Sequence, residues 1–345
     1  NNNFGEDDLK IRFKKSFKFW RNIFDKDDLS ICNIIREDGI NILIDLAGHT
    51  SFNKLSIFAN KPAPIQATWI GCNISTSLTE IDYIIGDKYA FTVDEKPYFV
   101  ENFWHLPDSM QCISKENFSI KRKEIPSIRN NHITFGCFNI GTKINKKLIK
   151  IWSSILKNVK NSKLLLKSSL LEEQIFTNML IEEFKKNGVD KNSLILRKRT
   201  ETRADHLQMY NDVDITLDTF PYNGCTTSHE SILMGVPVLT LKGFRPHSKI
   251  GESLNSNIDM KEWIAKDEED YFNKAIKFSR DLNNLSSVKK SIIKKIFQTS
   301  SYNTIKFSNQ FEKEMWKMWE KGPSMTYLYK DNNPFNGFDI CLIML

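Results

Sequence analysis

Short apolar runs alternate with amphipathic stretches along most of the chain. The apolar residues of 146–159 recur at helical spacing, whereas the runs between such segments have no polar face. Strands that are apolar on both faces and are separated by helices are typical of a parallel sheet covered by helices on both sides. The runs that predict strands are 40–47, 66–70, 81–85, 133–138, 162–167, 193–197, 214–218 and 236–241.

A polar, basic segment at 115–131, which contains Pro126, separates two strand–helix series. The pattern therefore predicts an α/β fold with two Rossmann-like, doubly wound domains. The first series has about three strands, so we expect the N-terminal domain to be incomplete. The predicted organisation is a first domain at 1–118, a linker at 119–131, a second domain at 132–300, C-terminal helices that pack back across a cleft at 301–330, and an unplaced tail at 331–345.

Composition narrows the functional classes. A length of 345 residues fits two domains, and a formal net charge of +7 is modest and spread along the chain, which predicts no nucleic-acid partner. No apolar run is long enough to span a bilayer, so no membrane association is expected. The six cysteines form no C-x-x-C pair or metal-ligand cluster, which favours a reducing cytoplasm and predicts no metal site.

Candidate chemistry lies after the predicted strands, because ligands of open parallel sheets bind at the carboxyl ends of the strands. Cations, glycines and hydroxyls gather at these positions, and a following helix start offers amide N–H groups to an anion. We therefore predict a diphosphate site at this edge of the sheet. Its candidate residues are Asn139, Lys143, Arg203, His206, Gly224, Cys225, Thr226, Thr227 and Glu230, with Gly71 from the first domain.

Local alternatives exist for several of these residues. Thr227-Ser-His-Glu230 matches a helix capping box, which needs no ligand. Gly224 could serve only a turn that requires positive φ. Lys143 could be a solvated residue before a helix, and His206 a surface or packed histidine. Lys198 and Arg199 are interpreted as solvated loop charges.

Two long motifs carry a family resemblance: KPAPIQATWIG at 61–71 and DITLDTFPYNGCTT at 214–227. Over roughly residues 15 to 322 the chain resembles the catalytic region of the protein O-GlcNAc transferases, glycosyltransferase family 41, including the SPINDLY-like and bacterial members. The resemblance implies a GT-B enzyme that transfers GlcNAc from UDP-GlcNAc, with inversion, to serine or threonine hydroxyls of a protein. It implies neither a metal ion nor another cofactor.

The resemblance also implies roles for individual residues. Lys143 matches the lysine at the diphosphate, and Thr226 and Thr227 match the pair at the β-phosphate. His206 matches a histidine that packs on the uridine, and Glu230 matches the residue that holds the ribose. Ile70 and Gly71 match the pair that lines the sugar pocket.

The sequence departs from the family pattern in ways that keep alternatives open. The tetratricopeptide array and the opening part of the first Rossmann domain do not occur in it, so the general base is expected upstream of Asn1. Met209 replaces an arginine, Cys225 replaces the histidine of animal members, and Ile140 replaces a polar residue. The alternatives are a GDP-fucose-dependent O-fucosyltransferase and a nucleotide-binding remnant without activity. Acceptor proteins and oligomeric state are not predicted.

Overall fold

The computed structural model describes the backbone of residues 8–114, 118–322 and 340–343. Contacts divide the chain into two units: unit 1 comprises residues 1–110 and 308–345, and unit 2 comprises residues 111–307. Each unit contains one parallel β-sheet. The predicted domain limits at residues 118 and 300 stay predictions.

Unit 1 is built on a five-stranded sheet in the order β11-β1-β2-β3-β4, and every pair of neighbours is parallel. Its strands are β1 (Ile42–Asp45), β2 (Ile65–Trp69), β3 (Tyr83–Gly86), β4 (Asn102–His105) and β11 (Ile340–Ile343). The N-terminal helices are α1 (Asp8–Ser16), α2 (Asp28–Glu37) and α3 (Leu55–Phe58), and α12 (Thr304–Lys321) follows unit 2 in the chain.

Unit 2 is built on a six-stranded parallel sheet in the order β10-β9-β8-β5-β6-β7. Its strands are β5 (Thr134–Cys137), β6 (Lys163–Lys167), β7 (Leu194–Arg197), β8 (Ile215–Leu217), β9 (Val238–Leu241) and β10 (Ile264–Ala265). Its helices are α4 (Pro126–Asn130), α5 (Lys146–Asn158), α6 (Gln174–Lys186), α7 (Arg203–Gln208), α8 (Thr226–Leu233), α9 (Ile250–Asn257), α10 (Glu268–Arg280) and α11 (Leu282–Lys295).

The strand order of unit 2 reverses between β5 and β8. The chain runs outward from β5 to β7, returns to the other side of β5 at β8, and continues to β10. This is the order of a dinucleotide-binding Rossmann sheet, in which ligands bind in the crevice outside the carboxyl ends of the strands at the reversal. The loops that follow β5 and β8 therefore border the crevice in which a ligand is expected.

The amphipathic stretch at 146–159 forms helix α5, and its apolar face packs into the core of unit 2. Asn145 caps α5 by accepting the amide of Leu148 at 3.0 Å. One helical face buries Leu148, Trp152 and Ile155, each without measurable exposure. Burying a large apolar side chain of this kind stabilises a fold by about 1.5–3 kcal/mol. This packing makes the sheet a rigid support for the loops at its carboxyl edge.

The structure corrects the sequence predictions at three strands and adds detail in two segments. The described part of unit 1 has five strands rather than about three, because β4 and β11 were not predicted, and β10 was missed in unit 2. The predicted linker at 119–131 contains α4, which begins at Pro126. The part of the unplaced tail that is described, Ile340–Ile343, is a strand beside β1, and the rest of 331–345 lies outside the described residues.

Candidate functional site at the carboxyl edge of the unit 2 sheet

Lys143 ends a single 3-10 turn in the loop that follows β5. Its ammonium donates a hydrogen bond to the backbone carbonyl of Asn223 at 2.7 Å and lies 3.8 Å from the ring centroid of Tyr222. Burial lowers the pKa of Lys143, and the carboxylate of Asp218 partly offsets this effect. The loop after β5 therefore brings a cation against the loop after β8.

Asp218, directly after β8, fastens that second loop. Its buried carboxylate accepts the amide of Gly224 at 2.6 Å, the amide of Thr219 at 2.9 Å and the hydroxyl of Thr240 at 2.7 Å. Burial raises the pKa of Asp218 to about 6, although the Gly224 amide and the Thr240 hydroxyl act in the opposite direction. The aspartate thus fixes the start and the end of the loop to neighbouring strands.

Gly224 has a packing role rather than the predicted conformational one. It is not among the residues with positive φ, so the turn alternative is wrong. A Cβ added at Gly224 would lie 2.5 Å from the Ser228 hydroxyl and 2.9 Å from both the Asn139 amide nitrogen and the Thr227 hydroxyl. Only glycine lets the loop pass this close to the start of α8.

The start of α8 is not a capping box. The N-cap residue is Cys225, which makes no side-chain cap. The Thr227 hydroxyl donates instead to the Asn139 side-chain oxygen at 2.8 Å, and Glu230 has other partners. Among the described residues, the amides of Cys225 and Thr227 have no acceptor. The positive end of α8 therefore keeps donors for an anion.

Glu230, one turn into α8, is the centre of a buried ion-pair network. Its carboxylate contacts the Arg203 guanidinium, lies 2.7 Å from His206 Nε2 and accepts the Tyr210 hydroxyl at 3.2 Å. Burial acts to raise the pKa of Glu230, but the bonds from His206 and Arg203 outweigh it and the pKa is lowered. The glutamate is an anion that holds two predicted site residues on α7 against α8.

Lys167 is a member of this network that the sequence reasoning missed. It is the last residue of β6, it is 7% exposed, and its ammonium lies 2.7 Å from His206 Nδ1. Its place at the carboxyl end of an apolar strand was the available signal. Nearby, the ring centroid of Phe138 lies 5.9 Å from that of His206.

Gln111 is a second missed residue, and it connects two side chains of the α8 start. Its side-chain oxygen accepts the Cys225 thiol at 3.2 Å and lies 3.1 Å from His229 Nε2. Burial lowers the pKa of His229 to about 4, so this histidine is neutral near pH 7. Burial also raises the pKa of the Cys225 thiol. Cys225 is therefore a neutral hydrogen-bond donor rather than a reactive thiolate.

The predicted residues are divided between the two units. Ile70 and Gly71 belong to unit 1, directly after β2, where Ile70 is 39% exposed and has a φ of 55°. A Cβ at Gly71 would lie 2.5 Å from the carbonyl oxygen of Leu46. Thr226 is exposed at the first turn of α8. The residues brought together in unit 2 are Asn139, Lys143, Arg203, His206, Gly224, Cys225, Thr226, Thr227 and Glu230.

Neither a membrane-spanning helix nor a group of metal ligands occurs among the described residues. No helix in the described ranges combines the length and apolar character needed to cross a bilayer. No group of three or more His, Cys, Asp or Glu side chains in the same ranges is arranged to hold a metal ion.

Comparisons with known proteins identify similar chains. Residues 26–123 and 113–311 match a family model described as Glycosyl transferase family 41. The probable UDP-N-acetylglucosamine–peptide N-acetylglucosaminyltransferase SPINDLY of Eustoma exaltatum subsp. russellianum is 35% identical over 323 residues, which are 92% of this chain and 35% of that protein. The chain thus spans about a third of the length of this curated relative.

Solved structures show the same similarity. A mutant O-GlcNAc transferase of Thermobaculum terrenum superposes with a TM-score of 0.88 at 28% identity, over 93% of this chain and 61% of that one. The Anabaena protein HepE in complex with UDP superposes with a TM-score of 0.58 at 12% identity, over 84% of this chain and 82% of that one. The second likeness concerns the fold alone.

Proposed function

Because the chain belongs to glycosyltransferase family 41, we propose that it transfers GlcNAc from UDP-GlcNAc to serine and threonine hydroxyls of protein acceptors. Its α/β fold is that of the GT-B glycosyltransferases. The names of its relatives support the donor and the acceptor. The observation that carries the proposal is the contact of Lys143 with the carbonyl of Asn223, three residues before the open start of α8, at the sheet reversal.

In this proposal the cradle formed by Lys143 and the first turn of α8 binds the diphosphate. The acceptor hydroxyl attacks the anomeric carbon from the face opposite the diphosphate, the sugar–phosphate bond breaks with inversion, and the hydroxyl proton is released to solvent. Negative charge then accumulates on the departing UDP. Fixed donors aimed at that charge lower the barrier without reorganisation, so the reaction needs no metal ion.

The contacts of Lys143 are compatible with this role. Its ammonium has three N–H donors, and one of them bonds to the neutral carbonyl of Asn223. A phosphate oxygen is a stronger acceptor than a peptide carbonyl because it is charged. Diphosphate binding would therefore recruit the remaining donors or displace the Asn223 contact.

We propose that the nucleoside lies over the Glu230 network. His206, whose side chain is 17% exposed, would pack against the base, and Glu230 would accept the ribose hydroxyls. A carboxylate has about four lone-pair sites, so Glu230 can accept a ribose hydroxyl in addition to its protein donors.

The expected cellular location is the cytoplasm, which the cysteine content favours.

Two alternatives are separated by the same assay. The chain would be incubated with radiolabelled UDP-GlcNAc, or with radiolabelled GDP-fucose, and a library of serine- and threonine-containing peptides. Peptide labelling from UDP-GlcNAc is expected. Labelling from GDP-fucose alone would replace the donor, whereas calorimetric binding of UDP with no labelling would support a nucleotide-binding segment without activity. Absence of binding by either nucleotide would contradict the proposed site.

A further inference from the structure

The placement of Lys167 is unusual for a lysine in an apolar strand. The three residues before it, Leu164 to Leu166, are buried in the core, and Lys167 is itself 7% exposed at the strand's carboxyl end. Strand β6 adjoins β5, so Lys167 lies on the side of the crevice where the Glu230 network stands. Among the described residues no carboxylate contacts its ammonium, and a lysine buried in this way is rare unless it has a specific role.

The hydrogen bonds around His206 define which ring nitrogen carries hydrogen. The Lys167 ammonium has donors only, so His206 Nδ1, at 2.7 Å, is the acceptor. His206 Nε2 then carries the hydrogen that is donated to Glu230 at 2.7 Å. One donor of Lys167 is used in this way. Its other two N–H groups have no acceptor among the described residues.

We propose that Lys167 reads the base of the nucleotide, by donating a hydrogen bond to the carbonyl oxygen that distinguishes uracil from cytosine, or guanine from adenine. This inference rests on the proposed function, since it needs the base to pack on His206. The site would then select a nucleoside diphosphate with an oxo base. Cytosine and adenine carry an amino group at the corresponding position.

The discrimination follows from hydrogen-bond complementarity. A lysine offers donors and no acceptor, so an exocyclic amino group in front of it leaves both groups unpaired. Burial lowers the pKa of Lys167, the Glu230 carboxylate partly offsets this by favouring the charged ammonium, and Arg199 adds to the lowering. An unmade hydrogen bond to a charged group corresponds to roughly 10- to 100-fold in affinity.

Calorimetric titration of the wild-type chain with UDP, CDP, GDP and ADP tests the inference. We expect UDP to bind about 10- to 100-fold more tightly than CDP, or GDP than ADP if guanine is the preferred base. Lys167→Met should reduce the preference to about threefold or less. Lys163→Met, at the other end of the same strand, should keep it.

Failure of the base-reading role of Lys167 can be distinguished from failure of the proposed function. If none of the four nucleotides binds, the proposed function itself fails. Equal affinities of the wild type for UDP and CDP, and for GDP and ADP, would overturn the base-reading role alone. So would a full preference retained by Lys167→Met. If that variant does not fold, Lys167→Gln serves instead: its side chain can accept from an amino group, so it should gain affinity for CDP or ADP, and no gain contradicts the role.

Discussion

In each unit an aspartate at the carboxyl end of a parallel strand fastens the loop that follows. In unit 1, Asp45 of β1 accepts the amides of Ala47 at 3.0 Å and Gly48 at 2.8 Å, and the hydroxyl of Thr68 in the adjacent strand β2 at 2.8 Å. In unit 2, Asp218 accepts two loop amides and a threonine hydroxyl of the adjacent strand β9 in the same way.

The two loops differ in what surrounds the aspartate. Beyond Asp218, Lys143 lies close enough to affect the carboxylate, and the loop leads into the open start of α8. Asp45 forms no ion pair with any described residue, and its loop leads through Gly48, which packs on Cys72. The aspartate is therefore a structural device common to both units. The lysine and the helix start are what make unit 2 the candidate anion site.

Replacement of Lys143 should have the largest effect on this comparison. Lys143→Met removes the cation but keeps the length of the side chain, so the fold should persist. Removing one donor that faces the developing charge typically lowers kcat by about 10²- to 10³-fold. The rate of label transfer measures the effect, with Lys146→Met, an exposed position on α5, as control. Turnover of Lys143→Met at the wild-type rate would mean that the cation has no catalytic role.

The raised pKa of Asp218 should make the free energy of unfolding depend on pH. Burial raises its pKa to about 6, so between roughly pH 4 and 6 the folded chain holds a proton that the unfolded chain has released. The contribution of this group to the free energy of unfolding is therefore greatest below pH 4 and falls as the pH rises to about 6. The decrease is on the order of 3 kcal/mol.

Urea unfolding between pH 4 and 7 measures this decrease. Asp218→Asn cannot ionise and should lack it, so the free energies of unfolding of wild type and variant should diverge with pH. Asp45→Asn is the matched variant for loss of a loop-fastening carboxylate. Parallel profiles of the wild type and Asp218→Asn would contradict the raised pKa.

Substitution of alanine for the corresponding loop glycines, Gly224 and Gly48, should separate an effect on stability from an effect on nucleotide binding. Gly224→Ala brings a Cβ to 2.5 Å from Ser228 Oγ, and Gly48→Ala, at a φ of +53°, brings one to 2.7 Å from the Cys72 Cβ. Both changes should lower the free energy of unfolding by about 1–3 kcal/mol. Only Gly224→Ala should weaken UDP binding, roughly tenfold, because it displaces the cradle.

Thermal unfolding and calorimetry measure the two effects. Equal losses of UDP affinity in the Gly224→Ala and Gly48→Ala variants would remove the distinction between the loops.

Much of the fold could be predicted because local patterns encode it. Buried parallel strands are continuous apolar runs, so β5, β6 and β9 were located from sequence alone. The missed strands lack that signal: β4 mixes Asn102 and His105 with aromatic residues and is partly exposed at a sheet edge, and β10 has only two residues. β11 is a strand because it pairs with β1, a contact far away in the sequence.

The residues of the candidate site also divide into those that a local pattern could place and those that it could not. Lys143 and Gly224 could be predicted because residues that follow parallel strands meet at one edge of the sheet. Thr227 matched a capping box locally, but its hydroxyl bonds to Asn139, which lies 88 positions away. Lys167 resembles any lysine at a strand end until His206 is placed against it. Long-range partners decide these roles, and a single sequence does not contain them.

The smallest expected effect concerns Tyr222, whose half-exposed ring lies 3.8 Å from the Lys143 ammonium. The face of an aromatic ring attracts a cation without using up its hydrogen-bond donors, so Tyr222 can hold Lys143 in place and leave its N–H groups for phosphate. At exposed sites this attraction contributes about 0.5–1 kcal/mol. Tyr222→Leu should therefore weaken UDP binding by roughly two- to fivefold in calorimetry, and Tyr222→Phe should not. If both substitutions weaken binding equally, the hydroxyl rather than the ring face is responsible, and Lys143 is held by Asn223 alone.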